Sequence, residues 1–199
     1  MYTEFVQYIA SITDKELAIR KKADEVHRAV NQWYDEKPYF YHLNKVAEHV
    51  IEYLPFIVYN EEDILPVLFS AYFHDSIEDA RLTYNDVMKI AKEYMTDKQA
   101  LLATEIVYAL TNEKGRNRHE RANEKYYKGI RIIPYAPLVK ACDRLSNYEY
   151  AKSTNSRMVN MYEKEMEDFI RNIYPSYQPI EDKRFTLPKE LVYALMRTT

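Results

Sequence analysis

Three segments of the chain carry side chains that could ligate a metal ion or transfer a proton. The densest is the hexad 74–79, His-Asp-Ser-Ile-Glu-Asp, whereas His42 and Asp143 stand alone in their segments. With only 5 His among 199 residues, such a hexad is improbable by chance, and it therefore indicates a functional site. Imidazole and carboxylate groups are the usual agents of metal ligation and of general acid–base catalysis.

The apolar periodicity that precedes the hexad predicts that it closes an amphipathic helix. On a helix its first and fifth residues share a face, as do its second and sixth, so four ionisable groups crowd together. Three neighbouring carboxylates repel one another unless water or a cation neutralises them. A solvated acidic helix end capped by His74 is the alternative, but the apolar residues 69–73 favour a site at the edge of the core.

His42 and Asp143 carry weaker signals, since a lone histidine on an apolar helix is more often a hydrogen-bonded core residue. The segment 138–147 nevertheless has an apolar face and a polar face, and Asp143 lies on the polar one. Two imidazole nitrogens with two carboxylates suit Mn²⁺, Fe²⁺ or Zn²⁺ and are too rich in nitrogen for a dedicated Ca²⁺ site.

The order His … His-Asp … Asp along the chain resembles that of the HD-domain metal-dependent phosphohydrolases. Within this superfamily the sequence is most similar to the hydrolase domain of the Rel/Spo alarmone enzymes and to the small alarmone hydrolases. The resemblance covers about residues 20–150. The matching stretches are 37–42, 46–47, 74–79, 109–111 and 138–147.

The resemblance implies a helical HD domain that holds a divalent metal ion, Mn²⁺ in the first place, with Fe²⁺, Zn²⁺ or Mg²⁺ as alternatives. It also implies that Glu78 and Asp79 are the catalytic acid–base pair that positions or deprotonates the attacking water. The metal ligands implied by the resemblance are His42, His74, Asp75 and Asp143.

A nucleotide is the substrate that the resemblance implies, first of all a (p)ppGpp-like 3′-pyrophosphate. The basic loop 114–121 would clamp its distal phosphates, with a solvated loop as the alternative. Trp33 and Tyr34 stand where the family carries an Arg-Lys pair that stacks on guanine, and Ser146 stands where it carries His. Trp33 is either a platform for the base or an ordinary packed residue. The expected substrate-binding residues are Asn147, Lys140, Arg144, Arg116, Arg118 and Trp33.

The composition limits the fold that must position these residues. Two glycines among 199 residues cannot form a Gly-rich phosphate loop or a dinucleotide-binding fingerprint. With 47% hydrophobic residues and no alternating strand pattern, the sequence predicts a single all-α domain over 1–199. We expect an HD-domain helical bundle in which 155–199 is a C-terminal helical extension.

Apolar residues at helical spacing, together with capping residues and prolines, divide the chain into helices. A capping box is predicted at Thr96, and Thr83 begins another helix. The predicted helical ranges are 3–34 as one or two helices, 41–54, a helix from 64, 84–95, 97–110, 137–152, 155–172 and a short helix from 189. The loop 111–121 leads into a further helix.

Charge and cysteine content exclude several classes of function. A formal net charge of −3 provides no general field for a nucleic acid backbone. The single cysteine, Cys142, excludes a disulfide framework and a Cys-based zinc cluster and favours a cytoplasmic protein. The sequence shows no signal peptide and no apolar span, so neither nucleic acid nor a membrane is an expected partner. Self-association as a homo-oligomer stays open.

Together these observations predict a metal-dependent phosphohydrolase whose partner is a small-molecule nucleotide. One alternative is a general nucleotide phosphatase or phosphodiesterase of the same superfamily. Another is a module that senses a nucleotide without turning it over. Every ligand and acid–base position is filled, which favours an enzyme over a sensor, because a sensor would be free to lose Glu78 or Asp79.

Overall fold

Helices account for nearly all regular structure in the computed structural model, which describes residues 2–112, 115–174 and 181–197. The predicted all-α fold class is confirmed. The α-helices are α1 (Tyr2–Ser11), α2 (Thr13–Ala29), α3 (Phe40–Tyr53), α4 (Ile64–Phe73), α5 (Tyr84–Ala91), α6 (Asp97–Leu110), α7 (Arg118–Arg121), α8 (Glu124–Ile132), α9 (Ala136–Ser153), α10 (Met158–Ile173) and α11 (Lys189–Arg197).

Local side-chain signals set two of the helix starts. Thr96 caps α6 through a reciprocal pair of hydrogen bonds with Gln99, as predicted, and Thr83 forms the same capping box with Asp86 at the start of α5. Helix α5 ends at Ala91 instead of 95, because the N–H groups of Glu93 and Tyr94 bond to carbonyls three residues back.

Helix α4 lies at the centre of the bundle, and all ten of its residues are buried. It packs against α2, α3 and α6, and α3 packs in turn against α9. A helix that is apolar on every side is stable only when other elements cover every side. The C-terminal end of α4 therefore lies in the interior of the bundle, beside α3 and α9.

The hexad 74–79 follows α4 as a series of turns, so the prediction that a helix carries it is wrong. Nδ1 of His74 donates to the carbonyl of Ala71 over 2.9 Å, the acceptor that the next N–H would use in a continuing helix. The N–H of Ser76 bonds instead to the carbonyl of Phe73, three residues back. In these tighter turns the carboxylates of Asp75 and Asp79 both reach the Tyr39 hydroxyl, whereas that of Glu78 bonds to Asn112.

A short β-hairpin with two residues in each strand separates α2 from α3, in a segment where the sequence shows no strand signal. Strands β1 (Trp33–Tyr34) and β2 (Lys37–Pro38) pair antiparallel, with Trp33 opposite Pro38. Successive side chains along a strand alternate in direction, so Trp33 and Tyr34 face opposite sides of the hairpin. The hairpin leads directly into α3, the helix that carries His42.

The C-terminal helices pack onto the same bundle. Helix α10 contacts α8 and α9, and α11 contacts α9 and α10. Leu191 and Leu195 of α11 are fully buried and belong to the same hydrophobic core as Phe5 of α1. In the part of the chain that the structure describes, no helix has the length and apolar character needed to cross a membrane.

Candidate active site

Two histidines from different helices point their Nε2 atoms at each other. His42, on the first turn of α3, and His74, at the end of α4, are both about 1–2% exposed, and their Nε2 atoms lie 3.2 Å apart. Nδ1 of His74 donates to Ala71, and Nδ1 of His42 lies 3.3 Å from Oγ of Ser146 on α9. Partners on Nδ1 of this kind fix the ring orientation and leave Nε2 for a shared ligand.

Two carboxylates approach the same point. Oδ2 of Asp75 lies 2.9 Å from Nε2 of His74 and 3.7 Å from Nε2 of His42. Oδ1 of Asp143 lies 3.2 Å from Nε2 of His42 and 3.7 Å from Nε2 of His74. His42 and Asp143, which lie 101 positions apart in the chain, thus meet at one place with His74 and Asp75.

This donor set fits a divalent cation. The donor atoms of His42, His74 and Asp75 lie close enough together to hold one metal ion. Metal–nitrogen bonds of about 2.1 Å place neighbouring ligand atoms about 3.0 Å apart in an octahedron and about 3.4 Å apart in a tetrahedron. The observed separations of 2.9–3.7 Å span these values. Imidazole with carboxylate is a donor set shared by Zn²⁺, Fe²⁺ and Mn²⁺.

Opposite charges keep the carboxylates of the cluster ionised. Burial alone would raise the pKa of Asp143, but the Lys140 ammonium and hydrogen bonds from the two histidines hold that pKa well below its ordinary value. The pKa of Asp75 is likewise lowered, since His74 outweighs the effect of burial. Burial would lower the pKa of His74, and the neighbouring Asp75 and Asp143 raise it well above its ordinary value. The carboxylates of the cluster are therefore negative and His74 favours its protonated form beside them, so a cation that bound here would displace that proton from the nitrogen.

Two expected substrate-binding residues, Lys140 and Asn147, bind Asp143 directly. Nζ of Lys140 donates to Oδ2 of Asp143 over 2.9 Å. Nδ2 of Asn147 donates to Oδ1 and to the backbone carbonyl of Asp143 over 2.6 and 3.0 Å, and its Oδ1 accepts from the Tyr34 hydroxyl over 2.8 Å. Since these residues lie at i, i+3 and i+7 on α9, one helix face supplies an expected ligand together with the two groups that orient it.

The two expected acid–base residues have different surroundings. Asp79 is partly buried, and its Oδ2 lies 2.8 Å from the Tyr39 hydroxyl, while burial and the nearby Asp75 raise its pKa. Glu78 is exposed and accepts hydrogen bonds from Nδ2 and N–H of Asn112, just beyond the end of α6, over 2.7 and 3.3 Å. Asp79 therefore faces the cluster of expected metal ligands (His42, His74, Asp75 and Asp143), and Glu78 lies at the exposed edge of the site.

Two adjoining clefts border the cluster, with Asn147 and Tyr162 common to both. The first, of about 220 Å³, is polar and reaches Asp143. The second, of about 500 Å³, is less polar and includes the rings of Tyr34 and Tyr150. Further residues of the first cleft are Asn112, Arg121, Tyr126, Lys140 and Arg144, and further residues of the second are Tyr34, Asp35, Tyr150 and Met158.

The expected cationic residues divide between the polar cleft and the surface. Arg144 lines the cleft but is largely buried, with its guanidinium 4.3 Å from the Phe169 ring centre and 3.4 Å from Oε2 of Glu165. Arg121 also lines the cleft, whereas Arg116 is an exposed residue of the loop.

Part of the expected phosphate clamp lies outside the described residues. Lys114 is not among them, and of Arg118 the structure describes the backbone in α7 but not the side chain.

Trp33 lies away from the two clefts beside the cluster. Its indole is 55% exposed, donates to Oδ1 of Asn31 over 3.1 Å, and lines a separate cavity of about 230 Å³ together with His27. Tyr34 occupies the cleft instead, with its ring stacked on that of His42 at 4.8 Å and 12°. Tyr34 and Tyr39 are site residues to which the sequence assigned no role: Tyr34 stood out only as a departure from the family pattern, and Tyr39 only as part of the matching stretch 37–42.

No protein-family model, no curated protein and no solved structure matches this chain. The geometry of the cluster and its clefts is therefore the basis for a functional conclusion.

Proposed function

We propose that this protein is a metal-dependent phosphohydrolase that acts on a nucleotide, with a (p)ppGpp-like 3′-pyrophosphate ester as the first substrate to test. The observation that carries the proposal is the convergence of His42, His74, Asp75 and Asp143 at the border of a polar cleft. The resemblance to HD-domain phosphohydrolases, whose implied ligands are these four residues, supports it.

The four residues would hold a divalent ion, for which Mn²⁺ is our first choice. Such an ion supplies positive charge that polarises a phosphoryl oxygen and lowers the pKa of water. Lys140 and Asn147 keep the Asp143 carboxylate turned toward the histidines. Preorganised ligands of this kind bind and act without a reorganisation cost at the moment of reaction.

Asp79 and Glu78 are proposed to divide the proton transfer and the orientation of water. A carboxyl whose pKa is raised exchanges a proton more readily near neutral pH, and Asp79 has such a pKa because of burial and the charge of Asp75. Glu78 is held by Asn112, a residue that lines the polar cleft, so its carboxylate lies where the substrate enters.

The substrate's phosphates and base would occupy the two adjoining clefts. Arg121, Lys140 and Arg144 offer positive charge to phosphate oxygens in the polar cleft. The second cleft offers the rings of Tyr34, Tyr150 and Tyr162 to a base, a role that we move from Trp33 to these tyrosines. Stacking of this kind contributes about 1–3 kcal/mol per base and discriminates weakly among bases.

One observation favours a second candidate, a phosphatase or phosphodiesterase for nucleotides with fewer phosphates. Lys140 is paired with Asp143, and Arg144 with Glu165. Cations that already face carboxylates offer less attraction to two diphosphate groups than free cations would.

The test is a product assay with Mn²⁺-loaded protein on ppGpp, pppGpp, NTPs, dNTPs, nucleoside monophosphates and cyclic dinucleotides. We expect hydrolysis of ppGpp that Asp143→Asn abolishes and that Asp97→Asn, a change of an exposed carboxylate on α6, leaves intact. Turnover of monophosphates alone would establish the second candidate. Wild-type turnover by metal-replete Asp143→Asn would contradict the proposed site.

A further inference from the structure

Tyr39 lies between the hairpin and α3, three residues before His42, and its side chain is 7% exposed. Its ring stacks on the His27 imidazole, with centroids 4.6 Å apart and an interplanar angle of 15°. The rings of Tyr34 and His42 contact it edge-on at 6.2 and 5.8 Å. Neighbouring rings on several sides fix the direction in which its hydroxyl points.

The Tyr39 hydroxyl contacts two carboxylates whose expected tasks differ. It lies 2.5 Å from Oδ2 of Asp75 and 2.8 Å from Oδ2 of Asp79. The same Asp75 oxygen lies 2.9 Å from Nε2 of His74, so it belongs to the metal-ligand cluster. One hydroxyl group therefore joins an expected metal ligand to an expected acid–base group.

A hydroxyl suits this position better than any apolar group would. Two carboxylates held close together repel each other, and each is free to rotate about its own side-chain torsions. A phenol has one proton, so its hydroxyl donates to one carboxylate at a time and accepts from the other only when that carboxyl is itself protonated; in this way a single fixed oxygen can restrain both side chains. The turn adds a backbone bond from the N–H of Asp79 to the carbonyl of Asp75 over 2.7 Å, but this bond leaves the carboxylates themselves unrestrained.

We propose that Tyr39 is a positioning residue. Its hydroxyl orients the Asp75 carboxylate toward the metal site and holds the Asp79 carboxylate at a fixed distance from that of Asp75. This role rests on the proposed function for its effect on turnover, while its effect on metal binding is independent of the reaction. Tyr39 acts through the two carboxylates and is not itself expected to exchange a proton with the substrate.

Tyr39→Phe tests the proposal, because it removes the hydroxyl and keeps the stacked ring. Tyr72→Phe is the matched control, since Tyr72 is also buried and its hydroxyl also bonds to a carboxylate, that of Glu16 on α2. The measurements are Mn²⁺ affinity by competition with a chelating dye, the visible absorption spectrum of the Co²⁺-loaded proteins, kcat and KM at saturating metal, and thermal unfolding.

For Tyr39→Phe we expect Mn²⁺ affinity to fall by about 10–100-fold and the Co²⁺ spectrum to change. At saturating metal, kcat should fall by a similar factor while KM stays within about twofold. Tyr72→Phe should match the wild type in metal affinity, spectrum and kcat.

Wild-type metal affinity and wild-type kcat in Tyr39→Phe would overturn the proposal. Unfolding of Tyr39→Phe, or equal losses of metal in both variants, would assign the hydroxyl a structural role and would also overturn it. If the wild type hydrolyses no nucleotide while Tyr39→Phe still loses metal selectively, the proposed function fails and the positioning of Asp75 stands.

Discussion

His27 and His42 are equally buried, each about 1% exposed, and lie on neighbouring helices with an aromatic ring stacked against each imidazole. Both nitrogens of His42 have partners, Ser146 on one side and the metal-ligand cluster on the other. Among the residues that the structure describes, neither nitrogen of His27 has a hydrogen-bond partner. Burial therefore does not distinguish a candidate metal ligand from a packed ring. The convergence of other donors on one nitrogen does.

The pKa of His27 shows the cost of burial without partners. Loss of hydration lowers it from 6.5 to about 4, although the nearby Asp75 acts in the opposite direction. His27 is therefore neutral at pH 7 and serves as an aromatic surface for Tyr39.

The largest expected effect separates the two histidines by function. His42→Phe should lose bound metal and reduce hydrolysis to background, because it removes a nitrogen donor from the cluster. His27→Phe should keep both, since it replaces an unpartnered ring with another ring. Metal content by elemental analysis and turnover of the active nucleotide measure this difference. Loss of metal in His27→Phe alone would reverse the assignment of the two residues.

A smaller effect should appear in the dependence of stability on pH. The folded-state pKa of His27 is lower than the unfolded one, so the unfolded chain binds more protons between about pH 6.5 and 4, and stability falls as the pH falls through this window. The loss from this one group is on the order of 3 kcal/mol. Urea unfolding at pH 7 and pH 4 gives the difference in free energy of unfolding between the wild type and His27→Phe. From pH 7 to pH 4 this difference should shift by this amount in favour of the variant. A difference that does not depend on pH would contradict the lowered pKa.

The smallest expected effect concerns the partner of His42. Ser146→Ala removes the group at Nδ1 of His42 and leaves all four donors in place. Metal affinity should fall by about tenfold, at the lower end of what such changes produce, because the contact is long at 3.3 Å. Ser70→Ala, which removes a buried hydroxyl that bonds to the carbonyl of Val67 and has no hydrogen bond with the cluster, is the control. Equal affinities in the two variants would show that packing alone orients His42.

The sequence predicted the helices and the residues of the cluster better than it predicted the backbone turns and the contacts within the cluster. Capping residues and apolar spacing act locally, so α6 is found at the predicted residues 97–110. The hexad and Asp143 could be singled out because ionisable groups are rare in apolar segments. The turns of the hexad could not be predicted, since they depend on a side chain, that of His74, taking a backbone carbonyl.

The roles of Trp33 and Tyr34 could not be assigned from sequence for a geometric reason. In a helix or a loop neither residue would be preferred for the site. In a strand the two residues face opposite sides, and only the hairpin decides which one meets Asn147, a residue 113 positions away. Contacts of this range depend on the completed fold and leave no local pattern.

The hairpin also gives the protein an optical reporter of its own. Trp33 is the only tryptophan of the chain, and its indole is half-exposed. It lies on the opposite side of the hairpin from Tyr34, whose ring stacks on His42. An entering molecule that shifts the backbone of Tyr34 would shift the strand to which Trp33 also belongs. We therefore expect the emission of the unmodified protein to respond to events in the cleft from a residue outside it, without a label.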